Sequence, residues 1–142
     1  MSNKQIHEGG CQCGSVRFRT SDQALRAIAC HCKTCKQRTG ADYGVGVYFN
    51  EDDVEFIKGT PQVFEFRSDE SGRWIRTEFC QKCGSAISWT LEFRPGVRGI
   101  AGGSYDDPGW FKLDAHAWTS SARSEVSYPD DIKVYEKGLP PA

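Results

Sequence analysis

Seven cysteines in 142 residues constrain this chain more than any other feature of its sequence. They stand in three short motifs, at residues 11–13, 30–35 and 80–83. Close spacing within a motif is typical of cysteines that bind one metal ion together, and an odd number suits disulfide pairing poorly. We therefore predict a small fold that is held together by metal ions and whose cysteines are reduced.

Charge and hydropathy exclude several classes of partner. Lys and Arg number 18 against 19 Asp and Glu, so a net charge of -1 offers no broad basic surface for nucleic acid or an anionic membrane. Residues 1–8 lack the apolar core of a signal peptide, and no run approaches the roughly 20 apolar residues that span a bilayer. The prediction is a cytoplasmic protein with no nucleic-acid or membrane partner, in a compartment where thiols stay reduced.

Alternation of polar and apolar residues predicts β-strands along most of the chain. The predicted strands cover residues 15–20, 43–49, 54–57, 62–67, 74–79, 86–91, 97–101 and 110–118. In the last of them, His116 would share one face with Trp110 and Trp118. Because the sequence has no internal repeat or linker, we predict one mainly β domain over residues 1–142.

Local signals predict two short helical turns and one close contact. One turn follows Cys35 and ends at Gly40, and the other follows Asn50. In the strand at residues 43–49, Gly44 and Gly46 share a face, so we expect another group to pack closely against it.

Two of the motifs can form one closed metal site. Cys11 and Cys13 are flanked by glycines, which free the backbone to curl so that both thiols face one ion. Cys80 and Cys83, followed by Gly84, have the spacing of a zinc-ribbon knuckle at the end of a strand. A zinc ion held by these four thiolates would join the N-terminus to the middle of the sheet as a structural site. A redox-active dithiol needs a strand-to-helix setting, which the strand predicted after Cys83 does not provide.

The other three thiols, those of Cys30, Cys32 and Cys35, form a locally complete set. Cys32 and Cys35 have the spacing that lets two sulfurs bind one zinc ion from a tight turn. His31 lies between two expected ligands and should point away from the metal that they share. Three thiolates without an obvious fourth protein ligand are typical of catalytic zinc, so these cysteines are the candidate catalytic residues. Spacing alone leaves other divisions of the seven thiols open.

Three basic residues and one histidine each have two interpretations. Lys33, Lys36 and Arg38 form either a solvated face that offsets thiolate charge or a rim that binds a substrate carboxylate beside the metal. His116 is either a packed, hydrogen-bonded residue or a group that lines a pocket near the metal.

In this order, the three motifs resemble those of a known family. The matching segments are Gly9-Gly10-Cys11-Gln12-Cys13-Gly14-Ser15-Val16, residues 30–35 with Thr39-Gly40, and Phe79-Cys80-Gln81-Lys82-Cys83-Gly84, with residues 102–106 and 116–118 later. They resemble the glutathione-dependent formaldehyde-activating enzyme family, also called the GFA or CENP-V family. The resemblance covers about residues 8–118 and leaves residues 119–142 as a C-terminal extension.

The resemblance implies a fold, two metal ions and a reaction. The fold is a mainly β, Mss4-like β-tent of antiparallel sheets that is stapled by zinc. The reaction is that of a carbon–sulfur lyase, which joins a glutathione-like thiol to formaldehyde or a related aldehyde, or reverses that addition. The implied ligands are Cys11, Cys13, Cys80 and Cys83 for a structural zinc, and Cys30, Cys32 and Cys35 for a catalytic zinc.

A second hypothesis is a non-catalytic Mss4-like zinc module that binds a thiol or a protein partner. Both ions would then be structural, and His31 or His116 would complete the second site. An exchangeable coordination position distinguishes the enzyme from the module. Under either hypothesis, a homodimer is possible.

Overall fold

The computed structural model describes residues 5–69 and 71–140. Residues 1–4, 70 and 141–142, which the predicted domain also includes, lie outside the described residues. The helix α1 spans Lys33–Thr39. The strands are β1 (His7–Gly10), β2 (Arg17–Thr20), β3 (Arg26–Cys30), β4 (Gly44–Asn50), β5 (Val54–Lys58), β6 (Gln62–Arg67), β7 (Trp74–Phe79), β8 (Ala86–Leu91), β9 (Val97–Ala101), β10 (Ala115–Ala117) and β11 (Lys133–Val134).

The strands form two sheets. A three-stranded sheet has the order β1-β2-β5, and an eight-stranded sheet has the order β11-β10-β3-β4-β9-β8-β7-β6. Neighbouring strands are antiparallel except that β10 runs parallel to both β3 and β11. The predicted mainly β fold of antiparallel sheets with short helical turns is confirmed, and β10 adds a parallel connection to it.

The main hydrophobic cluster joins the two sheets. Phe18 of β2 packs in it with residues of the larger sheet, among them Val47 and Phe49 of β4 and Ile100 of β9. All four side chains are fully buried. Each contributes about 1.5–3 kcal/mol relative to an exposed side chain, so this cluster fixes how the small sheet lies on the large one.

The strand predicted over residues 110–118 is wrong for most of its length. Pro108–Trp110 form a 3-10 turn, and the strand itself covers only Ala115–Ala117. The backbone N–H of Asp114 donates to the carbonyl of Ala27 at 2.7 Å, and the Asp114 carboxylate accepts from the N–H of Ala27 at 2.8 Å. These two hydrogen bonds bring the chain alongside β3 only from Asp114 onward. Trp110 lies in the 3-10 turn before this point, so it does not share a strand face with His116.

The predicted helical turns are present. Helix α1 begins before Cys35, earlier than predicted, and ends at Thr39. Gly40 caps it in the left-handed conformation at φ 67° and donates its N–H to the carbonyl of Lys36. A 3-10 turn over Glu51–Asp53 follows Asn50. Among the residues that the structure describes, no helix has both the length and the hydropathy that crossing a membrane requires.

Candidate metal centres

The loops after β1 and β7 bring four cysteines together. The Sγ atoms of Cys11, Cys13, Cys80 and Cys83 all lie within 4.8 Å of one another. Cys13 Sγ is 3.7 Å from Cys11 Sγ and 3.7 Å from Cys80 Sγ. Sulfur ligands at about 2.3 Å from a tetrahedral zinc ion stand about 3.8 Å apart, so this cluster has the dimensions of a four-thiolate metal site.

Each half of this cluster is a tight turn that a glycine permits. Gly14 and Gly84 both have positive φ, at 81° and 80°, a region that other residues rarely adopt. Beside these turns, the backbone N–H of Val16 donates to Cys11 Sγ at 3.2 Å, and that of Lys82 donates to Cys80 Sγ at 3.4 Å. These N–H groups stabilise negative charge on the sulfurs.

Ser85 connects the two turns. Its hydroxyl accepts from the backbone N–H of Gln12 at 3.1 Å and lies 3.2 Å from Cys83 Sγ. Because the hydroxyl oxygen accepts from one turn, its hydrogen is free to donate to the sulfur of the other. This hydrogen bond is the main reason that the pKa of Cys83 is lowered to about 5.

The second cluster lies where β3 passes into α1. Cys30 is the last residue of β3, Cys32 is the N-cap of α1, and Cys35 lies in its first turn. The N–H of Cys35 donates to Cys32 Sγ at 3.4 Å, and the three Sγ atoms lie within 4.8 Å of one another. In the described part of the chain, no fourth Cys, His, Asp or Glu joins this group. It can therefore bind a metal ion through three protein ligands.

The two clusters differ in how burial is distributed among their thiols. In the four-cysteine cluster Cys11 and Cys80 are buried, Cys83 is half-buried and Cys13 is exposed, whereas all three thiols of the second cluster are half-buried. In the second cluster, the hydrogen bond between Cys30 and Cys32 is the main cause that raises the pKa of Cys30 and lowers that of Cys32. Three thiolates this close repel one another, so a cation is needed before all three ionise together.

An aromatic wall of Trp89 and Tyr48 stands beside the second cluster. The indole Nε1–H of Trp89 donates to the hydroxyl of Tyr48 at 3.0 Å. The Arg38 guanidinium carbon lies 3.9 Å from the centre of the Trp89 ring. A Cβ at Gly46 would be 2.7 Å from Trp89, so the predicted close packing against this face is confirmed.

Glycine also lets Arg38 come close to the thiols. A Cβ at Gly44 would lie 2.6 Å from Arg38 Nη2 and 3.3 Å from Cys35 Cβ. The guanidinium therefore lies over Gly44, the first residue of β4, next to the second cluster. In the described ranges it takes part in no ion pair with a carboxylate, so an anion bound beside the thiols would not compete with an acidic side chain for it.

The three basic residues consequently differ. The ammonium group of Lys36 donates to the backbone carbonyl of Ser121, which ties α1 to the segment after β10. Lys33 is exposed. Of the three, Arg38 alone is stacked on an aromatic ring and adjacent to the thiols, so it is the member that fits a carboxylate-binding rim.

The two histidines bond to each other. His31 Nε2 and His116 Nδ1 are 2.8 Å apart, and the two side chains are 0% and 4% exposed. Neither belongs to the group of ligand atoms around the second cluster. His116 also borders a cavity of about 460 Å³. His116 is therefore a packed, hydrogen-bonded residue, and the cavity that it borders is lined by none of the cysteines, so a role in a pocket beside the metal stays a prediction.

Several residues of the site gave no local signal in the sequence. Ser85 bonds to Gln12, which is 73 residues away in the sequence. Trp89 bonds to Tyr48, which is 41 residues away. Tyr128, whose ring is 4.8 Å from that of His116, belongs to the segment that the sequence set apart as an extension. Only the two glycines of β4 indicated that large side chains pack on this face.

Known proteins resemble this chain in sequence and in fold. A family model described as glutathione-dependent formaldehyde-activating enzyme matches residues 6–121. A curated protein of Halomonas elongata, provisionally named a glutathione-dependent formaldehyde-activating enzyme, is 27% identical over an alignment of 128 residues. The alignment covers 87% of this chain and 70% of that protein. The crystal structure of a Rhodobacter sphaeroides protein covers 90% of this chain and 98% of its own, with a TM-score of 0.55 and 16% identity. That last likeness concerns the fold alone.

Proposed function

Because the chain belongs to the glutathione-dependent formaldehyde-activating enzyme family, we propose that it is a zinc-dependent carbon–sulfur lyase acting on a small thiol and an aldehyde. One observation carries this proposal: Cys30, Cys32 and Cys35 form a half-buried group of three thiols, and no fourth protein ligand joins them among the described residues. Three protein ligands and one exchangeable position are typical of catalytic zinc. The substrate pair is glutathione and formaldehyde, or a pair of the same chemistry.

The four-cysteine cluster has a different role in this proposal. Cys11, Cys13, Cys80 and Cys83 would bind a structural zinc ion, since four thiolates complete its coordination. The ion would fix the turn after β1 against the turn after β7. Its binding free energy would then contribute to the stability of the fold rather than to the reaction.

The second zinc, when bound, supplies a position that holds a substrate thiol as thiolate at neutral pH, although a free thiol has a pKa of about 8.5. The substrate's sulfur then forms a bond to the aldehyde carbon, and the carbonyl electron pair moves to the oxygen. The oxygen takes a proton from water, and the proton of the thiol has left to solvent. The sum is addition of S–H across C=O, and the reverse order of events releases the aldehyde.

Arg38 orients the thiol in this account. Its guanidinium is held in place by the Trp89 ring and lies next to Cys35, so a carboxylate of a thiol bound at the cluster can receive two N–H groups. A stacked guanidinium loses less conformational freedom on binding than a free one. Arg38 therefore favours thiols that carry a carboxylate near the sulfur.

The binding-module hypothesis requires a closed second site. The two histidines that would close it, His31 and His116, bond to each other at 2.8 Å. This arrangement favours the enzyme, because neither imidazole is turned toward the three sulfurs as a ligand.

The test is the rate at which glutathione and its formaldehyde adduct interconvert at equilibrium, measured by NMR exchange spectroscopy. Simple thiols add to formaldehyde unaided, so the rate without protein is subtracted. We expect a protein-dependent rate that Cys32→Ala abolishes and Gln37→Ala, an exposed change on the same helix, leaves intact. A rate equal to the background in the zinc-loaded parent protein would refute the enzyme and favour the binding module.

A further inference from the structure

Helix α1 and its N-cap supply two of the three thiols of the second cluster, and the helix contacts the rest of the fold through Lys36 and Arg38 rather than through buried residues. It is seven residues long, and none of its residues is buried. A helix this short is unstable in isolation and depends on contacts with the rest of the fold. The geometry of Cys32 and Cys35 therefore depends on what fixes the start of α1.

His31, one residue before the N-cap of α1, is the buried anchor at this point. Its side chain is fully buried, and its backbone N–H donates to the carbonyl of Ala117 at 3.0 Å. Its ring bonds to that of His116, which lies on β10 beside β3. The backbone carbonyl of His116 in turn accepts from the N–H of Tyr135 at 2.9 Å. The connection from β3 to α1 is thus tied to the interior of the larger sheet.

Aromatic rings restrict the imidazole pair further. The ring of Tyr43 lies 4.8 Å from that of His31, and the ring of Tyr128 lies 5.8 Å from His31 and 4.8 Å from His116. His31 Nε2 and His116 Nδ1 are 2.8 Å apart, so one ring donates its N–H to the other. The two rings consequently have one relative orientation, in which a single hydrogen bond joins them.

Among the described residues, His31 Nδ1 is buried and has no protein hydrogen-bond partner. The bond from His31 Nε2 to His116 is therefore the side-chain hydrogen bond that orients the ring.

We propose that His116 is a positioning residue for the second metal site. By holding the ring of His31 it fixes the backbone between Cys30 and Cys32, and so sets the separation of the sulfurs before metal binds. A preorganised ligand set binds its metal more tightly, and loss of an outer contact that orients ligands typically costs 10- to 100-fold in affinity. This inference rests on the proposed zinc site at the second cluster.

The experiment compares two polar variants of similar size in the full chain. His116→Asn places its amide group where Nδ1 now lies and keeps the bond to His31, whereas His116→Gln places it at the position of Nε2 and loses that bond. Zinc affinity of each site is measured by competition with a chromophoric chelator, and the second site is identified as the one absent in Cys35→Ala. Thermal unfolding of each variant is recorded alongside.

We expect His116→Gln to weaken the second ion about 10- to 100-fold without affecting the ion of the four-cysteine cluster. His116→Asn should bind both ions like the parent protein. Equal weakening of the second ion in both variants, or weakening or loss of both ions together in His116→Gln, would overturn the inference. A parent protein that binds only one ion would instead refute the proposed function on which the inference rests.

Discussion

Arg38 provides the sharpest test of how the site selects its thiol. Arg38→Gln removes the charge from a half-buried guanidinium that is stacked 3.9 Å from the centre of the Trp89 ring. A hydrogen bond to a charged group contributes about 1.5–3 kcal/mol, and partial exposure places this one at the lower end. At about 1.4 kcal/mol per tenfold change, the variant should bind a carboxylate-bearing thiol about 10- to 30-fold more weakly.

The assay compares two thiols with the same protein. The KM for glutathione, which carries carboxylates, should rise about 10- to 30-fold, while the KM for 2-mercaptoethanol, which carries none, should change little. Lys58→Gln, an exposed change on β5 in the other sheet, removes the same charge and should alter neither value. Arg38→Lys should give an intermediate result, because it keeps the charge but loses the planar stack and the paired N–H groups.

Two results would refute this reasoning. If Arg38→Gln raised the KM for both thiols equally, the residue would act on the site as a whole and not on a carboxylate. If Lys58→Gln had as large an effect on glutathione, the net charge of the protein would explain the preference. In either case the carboxylate-binding rim would have to be abandoned.

Three further predictions concern the metals and the wall beside them. Cys80→Ser should prevent stable folding, since structural zinc contributes about 10–16 kcal/mol in small zinc-bound folds; a circular dichroism melt like that of the parent would contradict this. A chelator should remove zinc in two phases, the faster from the second cluster, because three thiolates leave one coordination position open to the chelator. Glutathione should slow only that phase, and slowing of both phases would argue against an exchangeable position. Gly99→Ala would put a Cβ 2.5 Å from Trp89 Nε1 and should lower the free energy of unfolding by about 1–3 kcal/mol. Gly103→Ala, whose Cβ meets nothing within 4 Å, should be nearly neutral. Equal losses for the two variants in a denaturant titration would show that the aromatic wall is not tightly packed.

Features encoded within a few residues could be predicted from the sequence. The spacing of the cysteines indicated two groups, and both groups come together in the structure. Alternation of polar and apolar residues located most strands, because the side-chain period of a strand is visible within a short segment. Gly44 and Gly46 also indicated a face against which large side chains pack closely.

Features that depend on distant partners could not be predicted. The bond between His31 and His116 joins residues that are 85 positions apart in the sequence. The stack of Arg38 on Trp89 likewise joins α1 to the distant strand β8. Neither residue pair leaves a periodic or spacing signal. The error over residues 110–118 has the same origin, because apolar side chains that pack into the core from an irregular segment imitate the alternation of a strand.

The central claim is that the second zinc has three protein thiolates and accepts a fourth from the substrate. X-ray absorption spectroscopy of the protein loaded with two zinc ions measures this directly as the mean number of sulfur ligands per ion. With four thiolates at one ion and three at the other, the mean should be about 3.5, and glutathione should raise it to about 4. A mean that stays at about 3.5 when glutathione is added would mean that the second ion takes no thiol, and would contradict the proposed function.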